Sequence, residues 1–182
     1  MKKIENRTLN LSLAGVFAAL ITLFTAYILH IPVGINGGYI HVGDTFIYVA
    51  AALLPTPYAI AAGAIGGGLA DLLTSPSWAP ATIIIKSLIV LPFTYKKQTL
   101  LCKRNYIAPV ISFLISGTGY YIAESIMFGT GTALITAFTG SFLQSGSSMV
   151  LFYIVASALD KLRIKDTLAN VRGRAAAKDA QA

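Results

Sequence analysis

Residues 9–29 read LNLSLAGVFAALITLFTAYIL, a run of about 21 residues without one charged side chain. As a helix rising 1.5 Å per residue, this run is about 31 Å long, close to the thickness of a bilayer hydrocarbon core. Five more apolar runs follow, separated by short polar or Pro/Gly breaks: residues 45–54, 58–73, 80–95, 106–127 and 133–159. The pattern predicts an all-α polytopic membrane protein, a bundle of six transmembrane helices.

The composition agrees with a membrane protein. Of the 182 residues, 55% are hydrophobic and 12% are charged, whereas about a quarter of the residues in soluble domains are charged. The mean hydropathy of +0.71 points the same way. These values exclude a disordered chain and an ordinary soluble enzyme. The single cysteine, Cys102, allows neither an internal disulfide nor a zinc cluster.

A secretory signal peptide is the alternative for the first run, because Lys2, Lys3 and Arg7 precede it. The run is longer than a signal core, and five similar runs follow it, so we expect it to be the first transmembrane helix. We expect residues 1–165 to form one membrane-embedded domain and residues 166–182 to form a polar cytoplasmic tail.

The net charge of +7 predicts the orientation of the chain. With the N-terminus inside, 13 of the 14 basic residues fall in cytoplasmic segments, and the predicted external loops near 30–43, 74–79 and 128–132 hold none. Cytoplasmic loops are enriched in Lys and Arg, so both termini are expected in the cytoplasm. Nucleic-acid binding is not expected, because the basic residues do not interleave with exposed aromatic residues.

Lys86 is the remaining cation, and it lies within the fourth run. The carboxylates Asp44, Asp71 and Glu124 share the outer half of the membrane with it. An ionisable group costs about 2.5–3.5 kcal/mol at the centre of a spanning helix, so such groups usually face a cavity and one another. We expect a polar pocket open to the outside. The alternative is a charge network that orders the bundle, or carboxylates that are hydrated at the interface.

Other polar and aromatic residues cluster at the same depth or in the outer loops. This set consists of Asn36, Tyr39, His41, Trp78, Tyr120 and Gln144. Aromatic walls with a few directed polar groups suit a flat, vitamin-sized heterocycle. An interfacial aromatic belt is the alternative; it would account for Trp78 and Tyr39, but not for Gln144 or Lys86.

Small residues spaced four apart occur in two runs. The first run contains Ala14 and Ala18, shadowed by Gly15 and Ala19, and the third contains a Gly63-x-x-x-Gly67 motif. Such spacing lets helix backbones approach closely in lipid. For the third run we expect packing inside the bundle; for the first run, an external partner and internal packing both remain open.

No catalytic or energy-coupling motif is apparent. The chain lacks a G-x-x-x-x-G-K-[ST] phosphate loop and a G-x-S-x-G nucleophile motif. His30 and His41 stand eleven residues apart without cysteines, a weak metal signal, and we expect no metal and no other cofactor. We therefore expect no enzyme, but a facilitator, a receptor, or one subunit of a powered transporter.

Three segments together carry a family resemblance. They are Gly37-Gly38-Tyr39-Ile40-His41-Val42-Gly43-Asp44, the end of the Gly/Ala-rich third run Leu69-Ala70-Asp71-Leu72-Leu73, and Trp78-Ala79-Pro80-Ala81-Thr82-Ile83-Ile84-Ile85-Lys86. In combination they resemble S components, the substrate-binding subunits of prokaryotic energy-coupling factor (ECF) vitamin transporters. The similarity extends to about residue 165 and is greatest to the branch for hydroxymethylpyrimidine, pyridoxine and queuosine precursors.

The resemblance implies a multi-pass protein of the plasma membrane that captures a vitamin-like molecule outside the cell. It further implies association with a transmembrane coupling protein (the T component) and two cytoplasmic ATPases, and ATP-driven toppling that releases the ligand inside. Ala14 and Ala18 match the family's motif for contacting the coupling protein. The positions that match its ligand-binding regions are Asn36, Tyr39, His41, Trp78, Lys86, Tyr120, Glu124 and Gln144, and Asp44 and Asp71 match motif positions. A self-sufficient channel or facilitator remains the alternative function.

Overall fold

A computed structural model describes residues 7–28, 30–32 and 39–179, and most of these residues are helical. The helices are α1 (Arg7–Ala26), α2 (Asp44–Leu53), α3 (Thr56–Thr74), α4 (Ala79–Leu88), α5 (Lys103–Phe128), α6 (Thr130–Lys161) and α7 (Ile164–Asp179). A 3-10 turn, Pro76–Trp78, leads into α4. Two short strands, β1 (Ile31–Pro32) and β2 (Tyr39–Ile40), pair antiparallel between α1 and α2.

Each of the six apolar runs corresponds to one of the helices α1 to α6, which confirms the all-α prediction. Two helices within the described residues, α1 and α5, are long and apolar enough to cross a membrane. By contrast, α2 and α4 have ten residues each, about 15 Å of helix. The count of six spans and the orientation therefore stay predictions.

Backbone geometry explains where the chain changes direction. Leu54 is extended and Pro55 precedes α3, so that a proline ends one helix and introduces the next. Between α5 and α6, Gly129 has a φ of +91°, a conformation that side chains disfavour. Successive helices therefore run in opposite directions.

The bundle has two ends. One end holds residues 41–44, 75–79 and 129–130 and is called the site end. The opposite end holds residues 89–104 and 162–165 and is called the basic end.

Helix α3 packs between α1 and α4 through its glycines. A Cβ atom built on Gly66 would lie 2.7 Å from the Ala18 carbonyl oxygen, and one built on Gly67 would lie 2.9 Å from the Lys86 Cγ. Thr22 strengthens the first contact, because its hydroxyl donates to the Gly66 carbonyl at 3.0 Å. The predicted internal packing of the third run is confirmed.

The same packing buries the small residues that were matched to a coupling-protein motif. Ala14 and Ala18 are 5% and 8% exposed, and they lie on the side of α1 that faces α3. The predicted contact of Ala14 and Ala18 with a coupling protein stays a prediction. Gly15 and Ala19 lie on the adjacent, exposed side of α1, and a Cβ atom on Gly15 would meet nothing within 4 Å.

At the basic end, side chains of α5 hold the irregular segment that follows α4. The fourth apolar run was expected to extend to residue 95, but the helix ends at Leu88. Ser112 donates to the Ile89 carbonyl at 2.8 Å, and Arg104 donates to the carbonyl of Pro92 at 2.6 Å. Asn105 donates to the carbonyls of Thr94 and Leu100, both at 2.8 Å.

Helix α7 was not predicted, since residues 166–182 were expected to be a solvated tail. Ile164 and Leu168 pack against the hydrophobic core, and Lys165 Nζ donates to the Lys97 carbonyl at 2.8 Å. Asp160, near the end of α6, accepts hydrogen bonds from the amides of Leu100 and Leu101 at 2.7 and 3.0 Å. The start of α7 is therefore part of the bundle.

Candidate functional site

The centre of the site is a buried ion pair between α2 and α4. Lys86 Nζ lies 2.6 Å from Asp44 Oδ1, and the two side chains are 1% and 0% exposed. Asp44 is the first residue of α2, where the helix dipole favours a carboxylate. The expected meeting of the charged residues is confirmed for these two.

The turn before α2 fixes the position of Asp44. The Gly43 amide donates to His41 Nδ1 at 3.0 Å, and the imidazole is buried. A Cβ atom on Gly43 would lie 2.0 Å from the Thr25 hydroxyl oxygen. Only glycine permits this approach of the turn to α1, so the sequence Gly43-Asp44 serves to place the carboxylate.

Helix α6 supplies a third member of the cluster. Gln144 Nε2 donates to Asp44 Oδ2 at 3.2 Å, so both carboxylate oxygens are bonded. One turn of α6 further on, the Ser148 carbonyl accepts a hydrogen bond from the Thr45 hydroxyl at 3.2 Å. The two contacts fix α6 against the beginning of α2.

Tyr120 of α5 closes the other side of Lys86. The Lys86 ammonium lies 5.4 Å from the centre of the Tyr120 ring, within the range of a cation–π contact. The Tyr120 hydroxyl is 3.1 Å from the Thr82 hydroxyl. Thr82 stands one turn before Lys86 on α4, so one face of α4 presents both partners to Tyr120.

An aromatic row lies beside this cluster. The Trp78 ring is 5.9 Å from the rings of both Tyr120 and Phe128, measured between ring centres. Glu124 lies on α5 one turn from each of these two α5 residues, and its side chain is buried. The row follows directly from the Pro76–Trp78 turn, which brings Trp78 to the N-terminal end of α4.

Asp71 is the remaining predicted carboxylate. It is buried near the end of α3, one turn beyond Gly67, which packs against the Lys86 side chain. The structure thus brings together Asp44, Asp71, Lys86, Tyr120, Trp78 and Gln144. Asn36 lies outside the described residues, and of Tyr39 the structure describes the backbone alone.

Two residues of the cluster were not predicted, Thr82 and Phe128. A helical repeat was the available signal, since Thr82 precedes Lys86 by four residues and Phe128 follows Tyr120 by eight. Both positions therefore lie on the same helix faces as predicted residues.

The weak metal signal of the two histidines has no support within the described residues, which contain no group of three or more His, Cys, Asp and Glu side chains suited to a metal. His30 Nδ1 lies 2.9 Å from the Thr25 carbonyl oxygen, and His41 accepts the Gly43 amide. The two imidazoles thus order the backbone around the first outer loop.

The cluster offers an ammonium, carboxylates, a carboxamide and hydroxyls beside aromatic faces. Such a combination orients a polar planar molecule through its edge while rings cover its faces. It holds no arrangement of nucleophile and base of the kind that acyl or phosphoryl transfer requires.

Two comparisons with known proteins identify relatives of this chain. Residues 5–162 match the family model described as ECF-type riboflavin transporter, S component. An uncharacterized protein in the "gap 3'region" of Pyrococcus woesei is 28% identical over 128 residues, which cover 70% of this chain and 86% of that protein.

The family match confirms the resemblance to S components, and it does not confirm the expected hydroxymethylpyrimidine, pyridoxine and queuosine-precursor branch. S components are membrane-embedded transporter subunits that work with a T component and ATPases, and they are not enzymes. The chain belongs to the family of ECF-type riboflavin transporter S components, and it is a substrate-binding subunit of an ECF transporter.

Proposed function

We propose that this subunit captures a flat, vitamin-like heterocycle from outside the cell at the cluster around Lys86 and Asp44. The observation that carries the proposal is the buried Lys86–Asp44 pair, bonded to Gln144 and bordered by Trp78 and Tyr120. Buried ionisable groups in a membrane protein are energetically costly and are usually functional. In this proposal their function is to form hydrogen bonds with the ligand.

Each group has a distinct role in this proposal. Lys86 and Gln144 donate to acceptor atoms at the edge of the ligand, and Asp44 accepts from its N–H groups. Trp78 and Tyr120 stack on its ring. Asp71 and Glu124 adjust the local charge, while Asn36, Tyr39 and His41 belong to the loop that covers the bound molecule. The residues proposed to bind substrate are therefore the ten that the sequence indicated.

The chemical identity of the ligand has two sources of support. The family description names riboflavin, whereas the motifs around Asp44, Asp71 and Lys86 resemble the branch for queuosine precursors and pyridoxine- or pyrimidine-type vitamins. All of these molecules contain a planar heteroaromatic ring with hydrogen-bonding groups on its edge. We therefore include each of these chemical classes in the test.

Delivery in this proposal follows the ECF mechanism. The subunit associates with the coupling protein, and two ATPases drive the toppling of the bundle that releases the ligand inside. The exposed side of α1, with Gly15 and Ala19 between Leu11 and Leu23, is the contact surface, because Ala14 and Ala18 face α3. Small residues on an exposed membrane helix permit close approach of a partner helix.

Two measurements test the proposal. Titration of the purified chain with riboflavin, pyridoxine, hydroxymethylpyrimidine and a queuosine-precursor base should quench the fluorescence of Trp78, the only tryptophan, for at least one compound. In proteoliposomes, the chain alone should bind that compound without letting it equilibrate across the membrane. Equilibration without coupling protein and ATPases would instead support the channel or facilitator.

A further inference from the structure

Two buried nitrogen donors lie together at the basic end, far from the proposed ligand site. Arg172 of α7 donates from Nη2 to the Asn10 side-chain oxygen of α1 at 2.8 Å. The Asn10 side chain is fully buried. Arg172 Nε and Asn10 Nδ2 are both shielded from solvent and have no hydrogen-bond partner among the described residues. A buried donor without a hydrogen-bond partner is energetically unfavourable.

Arg172 lines an open cavity of about 60 Å³, and its bond to Asn10 anchors the guanidinium beside it. The cavity is lined by residues of the 95–98 segment and of α7, namely Tyr95, Lys96, Lys97, Gln98, Lys165, Leu168, Ala169 and Arg172. Four of the eight carry a positive charge and none carries a negative one. Lys96 and Lys97 are exposed and bring their charges to its mouth.

The nearby acceptors are already engaged. The Asp166 carboxylate accepts a hydrogen bond from Gln98, and the Asp160 carboxylate accepts two backbone amides. The carbonyls of Tyr95 and Lys97 accept from Lys165. The cavity is therefore rich in cationic N–H donors, and the carboxylates beside it are used elsewhere.

We propose that this cavity binds a phosphate-type oxyanion, with Arg172 Nε as its buried donor, Asn10 as the residue that positions the guanidinium, and Lys96 and Lys97 as its outer charges. The guanidinium donates from Nε while Nη2 keeps its bond to Asn10, and charge-assisted hydrogen bonds of this kind are about twice as strong as neutral ones. The oxyanion is either the headgroup of an anionic lipid or a soluble phosphate, since both present the same oxygens. Binding fastens α7 to α1 and to the 95–98 segment.

The test uses the purified full-length chain. In one arm it is kept in detergent and titrated with inorganic phosphate, with chloride added to constant ionic strength in a parallel sample. In the other arm it is placed in nanodiscs of phosphatidylcholine alone or with one fifth phosphatidylglycerol. We expect one of these two additions to raise the thermal midpoint by about 3 °C at concentrations tenfold above the dissociation constant. An effect of phosphate identifies the soluble source, and an effect of phosphatidylglycerol identifies the lipid.

Variants distinguish a specific binding site from the general attraction of anions to a positively charged surface. Arg172→Gln should weaken the effective binding about tenfold, and Arg172→Lys should weaken it as much, because a lysine cannot supply the Nε donor. Lys103→Gln removes one exposed charge at the same end and should have little effect. The proposal would be overturned if Lys103→Gln weakened the binding as much as Arg172→Gln does. It would also be overturned if phosphate shifted the thermal midpoint no more than chloride and phosphatidylglycerol no more than pure phosphatidylcholine. Trp78 quenching by heterocycles is expected to be the same in all of these variants, which separates this site from the proposed function.

Discussion

Lys86 and Asp44 are 42 residues apart in the sequence, and their charged atoms meet at 2.6 Å with both side chains almost completely shielded from solvent. The pair joins α4 to the first residue of α2, and Gln144 extends it to α6. Three helices thus meet at one carboxylate. Because the Asp44 carboxylate joins three helices and also belongs to the proposed ligand site, a single substitution of Asp44 or Lys86 should change both the stability of the fold and the affinity for ligand.

We expect Lys86→Met to lower the free energy of unfolding by about 3–5 kcal/mol, because it leaves the Asp44 carboxylate buried without its cation. The double variant Lys86→Met with Asp44→Asn should recover most of that loss, since a neutral amide still bonds Gln144. Denaturant-induced unfolding in detergent micelles measures both. If Lys86 contacts the ligand, the double variant should still fail to bind heterocycle. If Lys86→Met left the stability unchanged, the Lys86–Asp44 pair would have to be hydrated rather than buried.

The contact between α1 and α3 predicts opposite results at two glycines. Gly66→Ala should destabilise the chain by about 1–3 kcal/mol, because the new Cβ would lie 2.7 Å from the Ala18 carbonyl oxygen. Gly15→Ala is the matched control, with open space around its Cβ, and should be neutral or up to about 1 kcal/mol stabilising. Thermal unfolding of the two variants in the same detergent is the measurement. Equal effects would show that α1 does not pack on Gly66.

The two sides of α1 should also differ in their effect on assembly. Ala14→Leu with Ala18→Leu should reduce stability and ligand binding together, since both side chains point into the bundle. Gly15→Leu with Ala19→Leu should leave the isolated chain folded and able to bind ligand, but should prevent copurification with the coupling protein and abolish uptake. Copurification and fluorescence titration of both variants provide the comparison. Loss of assembly in the first pair alone, with binding intact, would return the contact to Ala14 and Ala18.

Tyr120 contributes a ring and a hydroxyl, and the two can be separated. Tyr120→Phe keeps the face over Lys86 and the edge contact with Trp78, but loses the hydroxyl partner of Thr82. We expect it to weaken heterocycle binding by about fivefold, the value of one ordinary hydrogen bond. Tyr120→Ala should weaken it by about thirtyfold or more, because about 1–3 kcal/mol of stacking is lost in addition. Trp78 quenching measures both, and an equal effect of the two substitutions would place the ring outside the contact with the ligand.

The sequence located each of the first six helices, because long apolar runs, prolines and glycines are local signals. It also located the charged cluster, since Lys86, Asp44 and Asp71 are exceptions within apolar surroundings. It did not reveal which carboxylate pairs with Lys86, because that choice depends on how α2 and α4 pack. The same reason explains the outcome at Ala14: the spacing of small residues marks a close contact but does not identify the helix that makes it.

The packing of helix α7 could not be predicted from the sequence, for a different reason. Its polar residues are typical of a solvated tail, and the signals that fix it, Leu168 against the core and Lys165 on three backbone carbonyls, are contacts with distant segments. Arg172 and Asn10 are 162 residues apart. Such pairs leave no trace in local hydropathy or periodicity.

The irregular segment after α4 has a consequence for how the chain folds. Residues 89–101 lack a helical ladder of their own, and side chains of α5 bond the carbonyls of Ile89, Pro92, Thr94 and Leu100. A backbone carbonyl that is buried without a hydrogen-bond partner is costly. The segment after α4 therefore takes its observed path only together with α5, and we expect these two parts of the chain to fold as one unit.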